Sequence, residues 1–259
     1  MMMQKINNLD VYTTGMQKSL NDKLFFMDKV NDIDKVIDFG CADGALIREM
    51  YKVNQNIKYL GYDNSLNMIY KARFNTDYEK FKNVMFVDNP SFSDSENALL
   101  NLSSVIHEVY SYSKPEEINT FWNQVFYSNN FKYIAIRDFC ISKSISRQSD
   151  INDYTKVIQS ADKEQIDEYE SIWGSLRDNR NLIHYLMKYR YIENWNREVR
   201  ENYFPIPLET LLSMIPTYKY EIVYFENYIL PFTKNKVKED FDVDIHDNTH
   251  VKILLKRKD

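Results

Sequence analysis

Apolar residues recur three and four apart over residues 21–30, at Leu24, Phe25, Met27 and Val30, which is the spacing of one helix face. Lys35–Phe39 then reads as a short buried strand, Leu46–Val53 as a helix, Ile57–Tyr62 as a second strand and Ser65–Arg73 as a helix with Leu66, Met68, Ile69 and Ala72 on its inner side. Val84–Val87, Ala98–Val105 and Tyr133–Arg137 continue as strands, with a helix over Pro115–Tyr127. Strands alternating with helices at such short spacing predict an α/β fold, a mainly parallel Rossmann-like sheet covered by helices on both faces, whose ligands bind at the carboxyl ends of the strands. Tyr220–Ile229 and His250–Lys256 are both strand-like, and the polar, acidic segment between them shows no helical pattern, so the pair predicts a terminal antiparallel hairpin.

More than 80 residues separate the fifth strand from that hairpin, where one crossover helix needs far fewer. Tyr154–Ile172 and Leu182–Val199 have helical periodicity, and the prolines of Phe204–Pro207 break the chain before a last helix over Leu208–Ile215. The division expected is a core over 1–145, a helical insertion over 146–205 and a return to the core over 206–259. An insertion leaving the carboxyl end of a strand overhangs the ligand crevice, as a lid or recognition element. An oligomerisation arm is the alternative.

At 259 residues the chain is long for one ordinary domain and short for two, which fits a single core with an insertion. The 44% hydrophobic and 27% charged composition is that of a soluble globular protein. No apolar run approaches the roughly 20 residues of a membrane span, and the start lacks the apolar region of a signal peptide, so a cytoplasmic location is expected. Cys41 and Cys140 stand far apart with no CxxC, as reduced thiols rather than a metal or disulfide framework. The formal charge of −5 argues against a protein coated in basic surface, though not against one local basic groove.

The chemistry concentrates in "KVIDFGCADGALI", Lys35–Ile47, where a strand ends in an acidic residue and small residues follow at alternate positions. So bare a turn either lets a nucleotide approach main-chain N–H groups or simply makes a tight strand-to-helix junction. The dinucleotide pattern G-x-G-x-x-G/A matches only at Gly40 and Ala45, whereas D-x-G-x-G-x-G matches at Asp38, Gly40 and Gly44, with Ala42 its single departure. On these residues the sequence resembles the class I S-adenosylmethionine-dependent methyltransferases, over most of the chain apart from the insertion. The resemblance implies a seven-stranded sheet ending in an antiparallel hairpin, S-adenosyl-L-methionine as cofactor, and Asp38, Gly40, Cys41, Ala42 and Gly44 around it. It also implies that Asp63, in "YLGYDNS", holds the ribose hydroxyls, with Asn64 beside it, although Asp63 or Ser65 would equally serve as a helix N-cap; Met68 either packs against the adenine or belongs to the core. Asp88, with Asn89, takes the position that reads the adenine edge.

"NLSSVIHEVYSY", Asn101–Tyr112, resembles the segment after the fourth strand that borders the methyl group and the acceptor. It adds Ser103 to the cofactor wall and makes His107 and Glu108 candidates for deprotonating or orienting the nucleophile, or for organising the pocket. "DNPSF" looks like the amino-group methyltransferase motif but follows the third strand and lacks its second proline. The N-terminal "VYTTGMQKSLNDKLFF" resembles a segment that folds over the cofactor, with Tyr12, Met16 and Lys18 as wall residues and Tyr12 toward the substrate.

In the insertion, His184, Lys188, Arg190, Arg197 and Arg200 alternate with Tyr185, Tyr189, Tyr191, Trp195 and Tyr203, with Glu193, Glu198 and Glu201 in the same stretch. Tyr189, Arg190 and Trp195 are the substrate-binding candidates there. They would either grip phosphates and stack bases or belong to a salt-bridged amphipathic helix. The loop Asp240–His250 lacks the glycine and terminal glutamate of a calcium-binding hand and is assigned no metal. Methyl transfer to oxygen or nitrogen of a small molecule or metabolite is the expected reaction. A tRNA, RNA or nucleotide acceptor is the alternative, as is a noncatalytic cofactor- or partner-binding protein that keeps the fold. Oligomeric state is left open.

Overall fold

The computed structural model describes residues 20–90, 92 and 94–259. Seven strands form one sheet in the order β3-β2-β1-β4-β5-β7-β6. They are β1 (Lys35–Phe39), β2 (Lys58–Tyr62), β3 (Val84–Val87), β4 (Ala98–Ser103), β5 (Tyr133–Phe139), β6 (Tyr220–Tyr228) and β7 (His250–Arg257). The first five run parallel, β7 lies antiparallel to β5, and β6 lies antiparallel to β7. The strand order reverses between β1 and β4, so a crevice opens where the chain leaves those two carboxyl ends for opposite faces.

The two faces follow from the period-2 alternation of buried strands. Ile37, Leu100, Leu102, Ile134, Ile136, Ile253 and Leu255 point into a core closed by α4 (Ile106–Tyr112), α5 (Pro115–Asn123) and the later α10 (Leu208–Met214). Val36, Leu99, Tyr133, Ala135 and Leu254 point the other way, under α2 (Ala45–Val53) and α3 (Leu66–Phe74). On this second face the alternation also presents Asp38, Asn101, Ser103, Arg137 and Lys252, all buried and polar. Register places Asp38 opposite Asn101, and Ser103, Arg137, Lys252 and Glu226 in a row across β4, β5, β7 and β6. The four-residue helix α1, Leu20–Lys23, lies over that polar patch.

The insertion is more broken than its periodicity predicts. In place of one helix over Tyr154–Ile172 there are α6 (Ile151–Ser160) and α7 (Lys163–Trp173), because Asp162 turns the chain and caps α7 through its carboxylate on Gln165 N. The second predicted helix divides into α8 (Asn179–Lys188), a 3₁₀ turn at Ile192–Asn194 and α9 (Trp195–Glu198). The hairpin connection also differs from expectation, since Pro231–Phe241 is a helix, α11, with proline at its start. Only Val237 and Phe241 of it are buried, so its apolar stripe is too sparse to register as periodicity. Those two join Val157, Tyr169, Leu182, Tyr185, Leu186 and Val199 in one hydrophobic cluster, which gives the insertion a core of its own.

A third difference bears on the site. The strand expected over Ala98–Val105 stops at Ser103, because Ser104 turns the backbone to φ 57, and α4 starts two residues later. His107 and Glu108 therefore stand on the first turn of a helix. Among the described residues no helix is long and apolar enough to cross a membrane.

Candidate functional site

A cleft, with about 670 Å³ of empty space once its open mouth is counted, occupies the crevice between the ends of β1 and β4. The turn after β1 forms its floor. Gly40, Ala42 and Gly44 have φ of 80°, 47° and 76°, so the alternate small residues answer a backbone that turns left-handed at every second position. Their bareness also serves protein packing: a Cβ on Gly40 would stand 2.6 Å from Val105 Cγ2, and one on Gly44 2.5 Å from the Phe86 ring. Gly61, in β2, is similarly shut in by Phe86, Ile47 and the buried Cys41 thiol. The turn is thus a tight junction, and Gly40, Cys41 and Ala42 of it line the cleft.

Asp63 fixes this turn. Its carboxylate accepts from Ala42 N at 2.9 Å and from Ser65 N at 2.8 Å, tying the β1 turn to the start of α3, where Ser65 is the N-cap. Burial pushes Asp63 up to about 6 despite those two bonds. Burial likewise pushes Asp38 up to about 6, against the hydrogen bond from Asn101 Nδ2 at 2.7 Å and the charge of Lys23. Asp38, Gly40, Cys41, Ala42, Asp63, Met68 and Ser103 all line the cleft, together with Asp43, Leu46, Ser104, Val105 and Glu108. Leu20 and Lys23 of α1 form its roof.

The remaining sequence candidates lie elsewhere. Gly44 sits beneath the turn, and Asn64, Asp88 and Asn89 are exposed, the last two following β3 in register with the end of β2. Tyr12, Met16 and Lys18 lie outside the described residues. The structure does not bring Tyr189, Arg190 or Trp195 to the cleft: Tyr189 donates to Asp240, Arg190 stands 4.0 Å from that same carboxylate, and Trp195 donates to Glu168.

His107 is buried behind the wall rather than in it. Its Nδ1 lies 2.6 Å from Asp138 Oδ1, and its Nε2 is 4.0 Å from Glu201. Burial alone would lower its pKa, but Asp138, Glu201 and Glu108 together raise it to about 9, so the ring is an imidazolium at neutral pH. Asp138 also accepts from Ile106 N at 2.7 Å and from Phe139 N at 2.7 Å, and is held below the usual carboxylate range despite its burial. It anchors the first turn of α4 to the end of β5. The sequence reading missed it, although an aspartate at the end of a buried strand was the available signal.

A second network joins the wall to the insertion. Arg197, 3% exposed, reaches Glu108 at 2.9 Å, Glu201 at 2.7 Å and Glu198 at 3.6 Å, while Tyr112 donates to Glu201 and Tyr203 to Glu198. Lys188 is fully buried and donates to the carbonyls of Glu198 and Glu201, and burial pulls it down to about 7. His184, equally buried, lies beside the Tyr169 hydroxyl and accepts from Tyr203 N, and burial keeps it neutral. Arg200 faces Glu168 at 3.6 Å.

Residues 31–103 match the family described as a methyltransferase domain, a segment running from before β1 to the end of β4. No curated protein matches the sequence. Among solved structures, an S-adenosylmethionine-dependent methyltransferase from Mesorhizobium loti superposes with a TM-score of 0.52 at 12% identity, covering 97% of this chain and 100% of that one. The methyltransferase domain of bacterial CtHen1 gives 0.50 at 14%, covering 96% and 98%. The plantazolicin methyltransferase BpumL, solved with a desmethylplantazolicin analogue and S-adenosylhomocysteine, gives 0.50 at 12%, covering 97% and 88%. At these identities the structural likeness carries the fold.

The residues present suit the donor. The cleft wall offers the carboxylates of Asp38, Asp43, Asp63 and Glu108 as acceptors for hydroxyl and cationic groups, and the buried Ser103 hydroxyl, on the same wall, has no hydrogen-bond partner among the described residues.

Proposed function

We propose that this chain, a class I S-adenosylmethionine-dependent methyltransferase, carries the methyl group to an oxygen or nitrogen atom of a small-molecule or metabolite acceptor in the cytoplasm. The carrying observation is the fate of the insertion's basic residues. Arg197, Lys188 and His184 are buried and engaged internally, and Arg190 and Arg200 each face a carboxylate. A polyanionic acceptor would need those charges on a continuous surface leading to the cleft. Four carboxylates and one lysine on the cleft wall also disfavour an incoming phosphate.

The donor supplies an already electrophilic methyl carbon, which leaves the protein the work of alignment and exclusion of water. Asp63 has lone pairs left over from its two amide bonds for a pair of ribose hydroxyls. Met68 and Leu46 give an apolar wall for the adenine. Asp38 and the Ser103 hydroxyl, both on the cleft wall, would take the amino-acid end. Glu108, clamped by Arg197, borders the acceptor side. His107 acts by holding α4 in place, because as an imidazolium bonded to Asp138 it has no lone pair for the nucleophile's proton. The buried, widely separated Cys41 and Cys140 suit a reducing compartment.

The test is to supply donor carrying a labelled methyl group, with a cell extract divided into small-molecule and RNA fractions. Enzyme-dependent label in the small-molecule fraction is expected. Label confined to RNA, falling steeply with added salt, would overturn the acceptor assignment.

A further inference from the structure

The donor has one carboxylate, and among the described residues that line the cleft Lys23 is the one cation. Its side chain is 6% exposed, and no hydrogen bond or ion pair among the described residues engages its ammonium; Arg137 repels it, and Asp38, Asp138 and Glu108 attract it from a distance. A buried, unpaired ammonium aimed into a cavity is costly unless an anion arrives. What puts it there is the adjacent residue. Asp22 accepts from Arg137 Nε at 2.9 Å and Tyr228 OH at 2.6 Å, and pairs with Lys252 Nζ at 2.7 Å. These donors come from β5, β6 and β7, so one carboxylate moors a four-residue helix to three strands. Arg137 continues to Ser104 Oγ at 2.9 Å, joining the mooring to the opposite cleft wall.

Resting on the donor-site reading above, we propose that Lys23 binds the carboxylate of the methyl donor and that Asp22 is the positioning residue that sets it there, by docking α1 on the Arg137–Lys252–Tyr228 platform. A helix of one turn has too few backbone bonds to hold its own geometry, so the address of Lys23 depends on this anchor. The N-terminal segment expected to fold over the cofactor contains α1, though Asp22 and Lys23 were not singled out in it. The polar row on a buried sheet face is the signal that points to them.

The experiment compares two ligands by calorimetry: S-adenosylhomocysteine, and 5′-methylthioadenosine, which keeps the nucleoside and thioether but has no amino-acid tail. Wild type should bind the first more tightly. Lys23→Met and Asp22→Asn should each weaken S-adenosylhomocysteine by about tenfold or more, the scale of a lost charge-assisted bond, while leaving 5′-methylthioadenosine within about twofold. The double variant should be no weaker than Lys23→Met alone, because Asp22 acts through Lys23. Tyr228→Phe removes one donor from the anchor and should give a smaller loss with the same ligand selectivity. Equal losses for both ligands, additive losses in the double variant, or no loss in Lys23→Met would overturn the proposal. If wild type bound neither ligand, the donor-site reading would fall first. If it bound both equally well, that reading would stand and the Lys23 assignment would fall.

Discussion

Asp63→Asn separates what the Asp63 carboxylate does for the fold from what it does for the donor. In the free protein it is 8% exposed and its pKa is pushed up to about 6, roughly two units above the ordinary aspartate value. At neutral pH its ionised form therefore carries a cost of about 3 kcal/mol relative to the unfolded chain. An asparagine escapes that cost but keeps only one carbonyl oxygen. One of Ala42 N and Ser65 N then loses its acceptor, which costs about 1–3 kcal/mol. The two terms nearly cancel, and the free variant should match wild type within about 1–2 kcal/mol at pH 7 in urea unfolding.

The sign of the pH dependence tests that bookkeeping. A carboxylate whose folded pKa lies above its unfolded value loses stability as pH rises from about 4 through about 6. The variant should therefore gain on wild type by about 3 kcal/mol between pH 4 and pH 7. Donor binding has no such compensation. Losing one charged acceptor for the ribose pair costs about 2–3 kcal/mol, or roughly 30- to 150-fold in S-adenosylhomocysteine affinity by calorimetry. An affinity within threefold of wild type, in a variant of unchanged stability, would remove Asp63 from the ribose site. A stability gap that did not move with pH would refute the burial argument.

Gly40→Ala should destabilise by about 2–4 kcal/mol, since φ is +80° and the new methyl meets Val105 Cγ2; adding Val105→Ala should restore only the steric part in chemical denaturation. Arg197→Met strips the counter-charge from Glu108, Glu198 and Glu201 and should cost about 3–5 kcal/mol at pH 7.5. The loss should shrink at pH 5.5, where Glu201, pushed up to about 7 by burial, takes up a proton; an equal loss at both values would contradict the network. His107, raised to about 9, contributes stability that is complete below about pH 6.5 and declines as pH rises to about 9. His107→Gln should abolish that decline in melts across the same range, while S-adenosylhomocysteine affinity stays within about twofold. S-adenosylhomocysteine affinity in wild type should fall between pH 7.5 and pH 9, because burial draws Lys23 down to about 8 and its charge is lost there; a flat profile would speak against it.

The sequence by itself determined the sheet and the floor of the site. Strands buried on both faces read as short apolar runs, and the alternate small residues 40, 42 and 44 are demanded by local backbone geometry, so both are legible from neighbours along the chain. Asp38 and Asp63 were legible for the same reason, each sitting at or beside a strand's carboxyl end. Tertiary structure alone decided what surrounds them. Whether His107 takes a proton or holds a helix depends on Asp138, 31 residues away, and whether Arg197 faces solvent or Glu108 depends on a contact across 89 residues. Asp22 meets Tyr228 across 206 residues. Charges announce themselves in a sequence without their partners, and since a partner fixes burial, protonation and direction, the roles of these residues were set only when the chain closed on itself.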